Sequence, residues 1–409
     1  MRKRAGRKGD FEKDGWRVTS ILFLVTEDYF FWSHRMPIAQ AAVKAGYQVS
    51  VATHIGEVAD KIRAARIDVI ATKFGRDNRH LWLQWRALLE IRSILRSNKP
   101  DIFHCVGLKA VIFGMLASLG LSVRHRVCLL PGLGVVFTSD RLRFRLMKHA
   151  LRSICRFLFE QKGCSVIVQN RDDFSQINKL APKSTVHLIR GSGVDTELFK
   201  PTFEPAYPIV VSLVARMLWH KGVGEFVEAA RVIKAAEFNL KFYLVGGIDL
   251  LNPAGIQREQ LTAWENAGHL TWLDHQDDIG AIWRRSHIAV LPSYREGLPK
   301  SLLEAAACGK PIVAADTPGC REIVQHGVNG LLVPVKDAGA LAEAILTLAL
   351  DSKLRAQMGL KSRQLVTENF SKEQVAAQTL RVYHCHPGLE PGSSVVQGAG
   401  PRVDPGVTV

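Results

Sequence analysis

Apolar positions along this 409-residue chain gather into short continuous runs, separated by stretches with helical spacing. Val18–Thr26, Gln48–Thr53, Asp68–Phe74, Asp101–Val106 and Val166–Gln169 are apolar and bounded by turn residues, which predicts buried strands. A helix is expected from Pro37 to Ala45, and the alternation of strand and helix predicts a doubly wound parallel sheet. The rhythm restarts after a proline-marked stretch, Pro201 to Pro208. Its second series is Ile209–Arg216, Lys241–Val245, Leu270–Leu273, Ile288–Pro292, Pro311–Asp316 and Gly330–Val335. The fold class is therefore α/β, with two Rossmann-like parallel-sheet domains facing one another across a cleft. The expected divisions are a basic extension (1–16), an N-terminal domain (17–200), a hinge (201–208), a C-terminal domain (209–370), and a helix crossing back to the first domain (371–385). The remainder, 386–409, is rich in Gly and Pro and is expected to be disordered. Ligands of such sheets lie at the carboxyl ends of the strands, so the chemistry is expected in the cleft.

Charge changes this picture by singling out one half. The chain carries a formal +16. Residues 1–200 hold 34 Lys and Arg against 17 Asp and Glu, whereas 201–409 hold 20 against 21. A basic half beside a neutral one suggests that one domain meets an anionic partner. Arg141, Arg145, Lys148, Arg152 and Arg156 recur at spacings that place them on one helical stripe, beside an apolar stripe of Leu142, Leu146, Ala150, Ile154 and Leu158. Such a helix suits an anionic membrane surface; the alternative is a surface helix whose apolar face covers the sheet. No helix-turn-helix, zinc finger or stacking platform accompanies the charge, so nucleic acid is not an expected partner.

The longest apolar run, Ala110–Val123, is too short to cross a bilayer and predicts a buried helix. The basic amino terminus is followed by Asp10, Glu12 and Asp14 rather than an apolar segment, which argues against secretion. Seven scattered cysteines without a Cys-x-x-Cys pair fit reduced thiols, and no metal site is expected.

Candidate chemistry is densest after the Ile288 strand, in Pro292-Ser-Tyr-Arg-Glu296-Gly297-Leu298-Pro299-Lys300-Ser-Leu-Leu-Glu304. The turn should open a helix near Pro299, a residue suited to a first helical turn. Free N–H groups of Leu298, Lys300 and Ser301 would then form an anion site reinforced by the helix dipole, flanked by the carboxylates of Glu296 and Glu304.

The string from Pro292 to Asp337 resembles the retaining family-4 glycosyltransferases of GT-B fold, whose signature is two glutamates with seven residues between them. The first half of the chain resembles the branch of this family that builds bacterial surface polysaccharides on polyprenyl-diphosphate carriers. The resemblance extends to Val211–Gly222, where it implies that Arg216 and Lys221 contact the donor diphosphate; a guanidinium fork and a point charge can offset phosphate without a metal. It further implies that Glu304 binds the donor ribose and Glu296 the transferred sugar, with backbone contacts from Gly297, Leu298 and Pro299. Gly246 would let the backbone approach the nucleotide.

In the first half the matching strings are Phe31–Ala39, Asp101–Ala110, Gly132–Thr138 and Gly191–Asp195. Here the resemblance implies that His104 reaches the sugar and that His34, Arg35, Lys109, Gly132 and Gly134 meet the acceptor. The implied reaction moves a sugar, an N-acetylhexosamine from a UDP-sugar by resemblance, with deoxy sugars and GDP-mannose as open alternatives, to a polyprenyl-diphosphate-linked saccharide, with retention and with no cofactor or metal. Its expected location is the inner face of the cytoplasmic membrane, bound peripherally. A UDP-sugar epimerase of the same architecture and a non-catalytic membrane-docked scaffold are the alternatives.

Overall fold

The computed structural model describes residues 18–75, 81–133, 142–249 and 252–384, with side chains described at all of them except 81 and 142–148. Among the described residues the first sheet contains β1 (Ser20–Glu27), β2 (Gln48–His54), β3 (Asp68–Ala71), β4 (Ile102–Val106), β5 (His125–Leu130), β6 (Cys164–Val168) and β7 (Thr185–Leu188). Its helices are α1 (Asp28–His34), α2 (Met36–Lys44), α3 (Ala59–Ala64), α4 (Leu81–Asn98), α5 (Leu108–Ser118), α6 (Leu142–Phe159) and α7 (Arg171–Leu180). The second sheet contains β8 (Ile209–Val214), β9 (Leu240–Val245), β10 (Thr271–Leu273), β11 (Ile288–Leu291), β12 (Ile312–Ala315) and β13 (Gly330–Val333). Around it lie α8 (Val223–Ala235), α9 (Arg258–Asn266), α10 (Ile279–Arg285), α11 (Lys300–Ala307), α12 (Pro318–Arg321), α13 (Ala338–Leu350) and α14 (Ser352–Asn369), and α15 (Lys372–His384) ends the described chain.

The strand orders are 3-2-1-4-5-6-7 and 10-9-8-11-12-13, with every pairing parallel. Parallel strands buried on both faces lose the polar-apolar alternation of a half-exposed strand, and β4, β6, β8, β11 and β12 are buried along their whole lengths. In each sheet the order reverses beside the first strand, between β1 and β4 and between β8 and β11. Loops leaving those strands diverge to opposite faces and open a crevice.

Two strands, β5 and β7, lie outside the runs singled out from the sequence. The apolar stretch that begins at Ala110 is α5 only as far as Ser118, and a turn then leads into β5. Among the described residues no helix is long and apolar enough to cross a membrane. The six described cysteines are free and buried.

Helix α15 returns to the first domain and packs on α2, burying Val375, Ala376, Val382 and Tyr383 in that domain's core. His104, opposite Phe23 in the β1–β4 register, meets it there. The His104 ring is wholly buried, stacks on Phe23 at 4.8 Å, and shares a 2.6 Å hydrogen bond between Nδ1 and the Tyr383 hydroxyl. Burial and the nearby Arg35 hold its pKa well below the usual histidine value, so the ring is neutral. His104 is thus a core residue, and the expectation that it faces a sugar in the cleft is not met. Replacing Tyr383→Phe strips the Nδ1 partner from a sealed site and is expected to cost about 1–3 kcal/mol of unfolding free energy. Urea unfolding reads this directly; an unchanged midpoint would mean the bond adds nothing.

Candidate active site

The crevices of the two sheets face each other, and the residues expected to carry the chemistry lie on the loops that leave β8 and β11. After β8 the chain passes Arg216 and closes a 3₁₀ turn, Trp219–Lys221, before Gly222 opens α8 in the left-handed region at φ 74°. A side chain at 222 would sit 2.2 Å from the Pro292 carbonyl, so only glycine lets the two loops touch. Tyr294 N–H donates to the His220 carbonyl at 2.9 Å and fixes their spacing. Lys221 Nζ consequently lies 2.5 Å from Glu296 Oε1, both groups largely buried. Arg216 reaches Asp249 Oδ2 at 2.6 Å with its guanidinium half exposed toward the cleft.

Helix α11 begins one residue later than expected. Pro299 is its capping residue, and its carbonyl accepts from the N–H groups of Leu302 and Leu303. The N–H groups of Lys300 and Ser301 therefore occupy the first turn, where no intrahelical acceptor exists and the helix dipole is positive. Glu304 stands one turn further in, 7% exposed, with Oε1 3.4 Å from Lys300 Nζ. Burial raises its pKa, and the Lys300 ammonium opposes that rise.

Gly297 joins the two domains. A Cβ there would lie 1.4 Å from the Pro131 carbonyl oxygen, and Gly132 faces the same spot. The Gly297 carbonyl accepts from Asn170 Nδ2 at 3.1 Å, while Lys300 Nζ crosses the cleft to the Ser33 carbonyl at 3.0 Å. Glu322 accepts from Arg190 Nε at 2.7 Å and from the Arg171 N–H at 2.8 Å. Gly191, at φ +74°, leaves room for the Leu298 side chain. Of these bridging groups, Asn170, Ser33, Glu322 and the Lys300 side chain were not singled out from the sequence. Asn170 alone left a local trace, the Asn-Arg-Asp-Asp pattern of a helix cap, and its Oδ1 does accept from the Asp173 N–H.

The acceptor-side expectations divide. His34 ends α1, and it faces the donor domain through Lys300. Its ring stacks on Phe30 at 4.5 Å, and Nδ1 lies 2.7 Å from Ser33 Oγ. The Ser33 hydroxyl proton can go to the Tyr29 carbonyl at 2.8 Å, which makes Nδ1–H the donor and leaves an Nε2 lone pair. Burial, then Arg35 and Lys300, lower the His34 pKa to about 3.

Arg35 points the other way. It is 1% exposed, has no hydrogen-bond partner for Nε or Nη1, and lies close enough to Tyr383 and His104 to bias both. It is sealed from the cleft and does not offer its charge to an acceptor diphosphate. Lys109 is likewise committed, donating to the Gly75 carbonyl with its ammonium 5.3 Å from the centre of the Phe74 ring. Gly246, at φ +140°, is required by the Ala215 carbonyl, which a Cβ would meet at 1.9 Å.

Gly134 and Arg141 lie outside the described residues, and Arg145 and Lys148 are described only as helical backbone. On α6 the inward face is Leu151, Cys155, Leu158 and Phe159, so Ile154 and Ala150 of the expected apolar stripe instead face outward beside Arg152 and Arg156.

Two measurements check this geometry. Gly297→Ala cannot keep the approach to Pro131, and the expected result is a larger radius of gyration by small-angle scattering with unchanged circular dichroism. Because the Glu304 pKa is raised on folding, its contribution to stability falls as pH rises through that pKa. Glu304→Gln should therefore melt higher than the parent near about pH 8, the advantage fading by about pH 3, where the carboxyl is protonated in both states. An equal gain at both values would assign it to packing.

Comparison with known proteins fits the same arrangement. The model "Glycosyl transferases group 1" matches residues 194–365 and "Glycosyl transferase 4-like" matches residues 20–170. Together they cover more than three quarters of the chain. The N,N'-diacetylbacillosaminyl-diphospho-undecaprenol alpha-1,3-N-acetylgalactosaminyltransferase of Campylobacter jejuni is 29% identical across 85% of this chain and 94% of its own. The UDP-Gal:alpha-D-GlcNAc-diphosphoundecaprenol alpha-1,3-galactosyltransferase of Escherichia coli is 24% identical across 70% and 76%. Among solved structures, sucrose-phosphate synthase from Thermosynechococcus elongatus superposes with a TM-score of 0.75 at 20% identity, over 90% of this chain and 98% of that one. With two parallel-sheet domains, a Lys221–Glu296 pair and a buried Glu304 gathered at facing crevices, the chain belongs to the family-4 type glycosyltransferases of GT-B fold.

Proposed function

We propose that this enzyme transfers a sugar, an N-acetylhexosamine, from a UDP-sugar to a saccharide carried on polyprenyl diphosphate, at the inner face of the cytoplasmic membrane. The observation that carries the reading is the convergence of Arg216, Lys221 and the amino end of α11 on one crevice, with Glu304 buried beside them. The lipid-linked acceptor is supported by the names of the two curated relatives, both of which act on diphospho-undecaprenol saccharides.

In this reading the donor diphosphate lies against the first turn of α11, between Arg216 and Lys221, and Glu304 accepts from the ribose hydroxyls. Glu296 holds Lys221 in place and meets the transferred sugar. The barrier is the separation of an oxocarbenium-like sugar from a leaving diphosphate. Charge developing on that leaving group is met by fixed cations and amide dipoles, which bind the transition state better than the ground state. These groups supply the counter-charge that a divalent ion would otherwise bring, so the reaction runs without metal. His34 sits on the acceptor wall as a neutral ring and accepts from a sugar hydroxyl through Nε2.

Retention is assigned to a front-face route, in which the leaving phosphate takes the acceptor proton, rather than to a carboxylate nucleophile on the sugar's opposite face. A sugar trapped covalently on any side chain would overturn that step.

The test combines binding and turnover. With EDTA present, UDP at about a hundred times its dissociation constant should add about 2.7 kcal/mol to stability, seen as a raised melting temperature absent with GDP, ADP, TDP or CMP. Lys221→Ala and Glu304→Ala should each lower turnover with UDP-sugars and polyprenyl-diphosphate acceptors by at least about tenfold. Full rates in both folded variants would remove the donor-site assignment.

A further inference from the structure

Helix α4 carries an apolar stripe on its outer side. Ala87, Ile91 and Leu95 face the core of the first domain, yet Trp82, Trp85 and Leu89 are 57%, 66% and 63% exposed. Their spacing of three and four residues puts them on one face, spanning about 10 Å along the helix. Burying a large side chain removes unfavourable contact with water, so three exposed in line, two of them tryptophans, mark a surface that meets something.

The charges around that stripe choose the partner. Within α4 there are three arginines and one glutamate. The carboxylate of Glu90 is engaged by the Lys73 N–H at 3.0 and 3.2 Å. Arg92 turns inward to the carbonyls of Ala117 and Leu119. Arg86, exposed, stands 5.3 Å from the centre of the Trp82 ring, and Arg96 is exposed two turns beyond Leu89. The outward face is thus aromatic and cationic. Helix α6, packed on the same side of the sheet, repeats the combination with Ile154 and Phe157 exposed beside Arg152 and Arg156. Tryptophan prefers the headgroup level of a bilayer, and clustered arginine prefers an anionic leaflet.

The topology places the stripe where such a surface would be useful. Helix α4 runs from the carboxyl edge of the sheet back to the start of β4, so Trp82 and Trp85 lie in its first turns, on the rim shared with the cleft. We infer that the Trp82–Trp85–Leu89 face of α4 inserts into the interfacial layer of an anionic lipid bilayer and sets the acceptor-domain rim at the membrane surface. This inference rests on the membrane-face reading above and names the element that makes the contact.

The test uses the full chain with vesicles of about three parts phosphatidylglycerol to seven of phosphatidylcholine, and with pure phosphatidylcholine. The parent protein is expected to sediment with the anionic vesicles and to show a blue-shifted tryptophan emission. The surface variant carrying Trp82→Ser, Trp85→Ser and Leu89→Ser should lose at least about tenfold in vesicle partition, while Arg86→Glu loses anionic but not neutral binding. UDP-induced stabilisation, measured in solution on the same variants, should stay as in the parent. That readout separates failure of this surface from failure of the donor site. Equal sedimentation of parent and triple variant, or no binding by the parent to either vesicle, overturns the inference. So does a parent dimer that becomes monomeric in the triple variant with vesicle binding unchanged, since the stripe would then be a protein interface.

Discussion

The contact between Gly297 and Pro131 is the constraint on which the rest of the site depends. Backbone meets backbone across the cleft with no room for a methyl group, so the loop before α11 is pinned at one point between the two domains. From that point the Lys300 side chain reaches Ser33, Asn170 holds the Gly297 carbonyl, and Leu298 fills the space over Gly191. The amino end of α11 is thereby flanked by the other domain, with Lys300 and Ser301 half-buried, and partial removal from water strengthens the charges that act there.

Each cation of the site is held by an acid on its own domain: Arg216 by Asp249, Lys221 by Glu296, Lys300 by Glu304. Such pairing fixes long side chains before any ligand arrives, so less conformational entropy is lost on binding. Burial sets the cost of the arrangement, and it is greatest at Glu304, whose carboxyl resists ionisation.

Two of the first domain's histidines have opposite fates. His104 and the neighbouring Arg35 belong to the polar seam under α15, where Tyr383 seals the sheet against the returning helix. His34, next to Arg35 in sequence, emerges on the cleft side because α1 ends between them. The same domain keeps its other exposed chemistry, arginine beside tryptophan and phenylalanine, on the outer helices α4 and α6.

By itself the sequence determined the two-sheet architecture, because strands buried on both faces leave continuous apolar runs that turn residues delimit. It also singled out Arg216, Lys221, Glu296 and Glu304 as one candidate cluster, since they lie in two short strings whose loops leave neighbouring strands. The strands β5 and β7 were not legible: the first follows a helix as apolar as itself, and the second is a short edge strand without continuous burial. Tertiary structure alone decided which groups of the first domain face the cleft. Whether His34, Arg35, His104 or Lys109 points to ligand or to core depends on where α1 stops, on Tyr383 arriving from 279 residues away, and on Gly75. Those are contacts between distant segments, and no local pattern of residues encodes them.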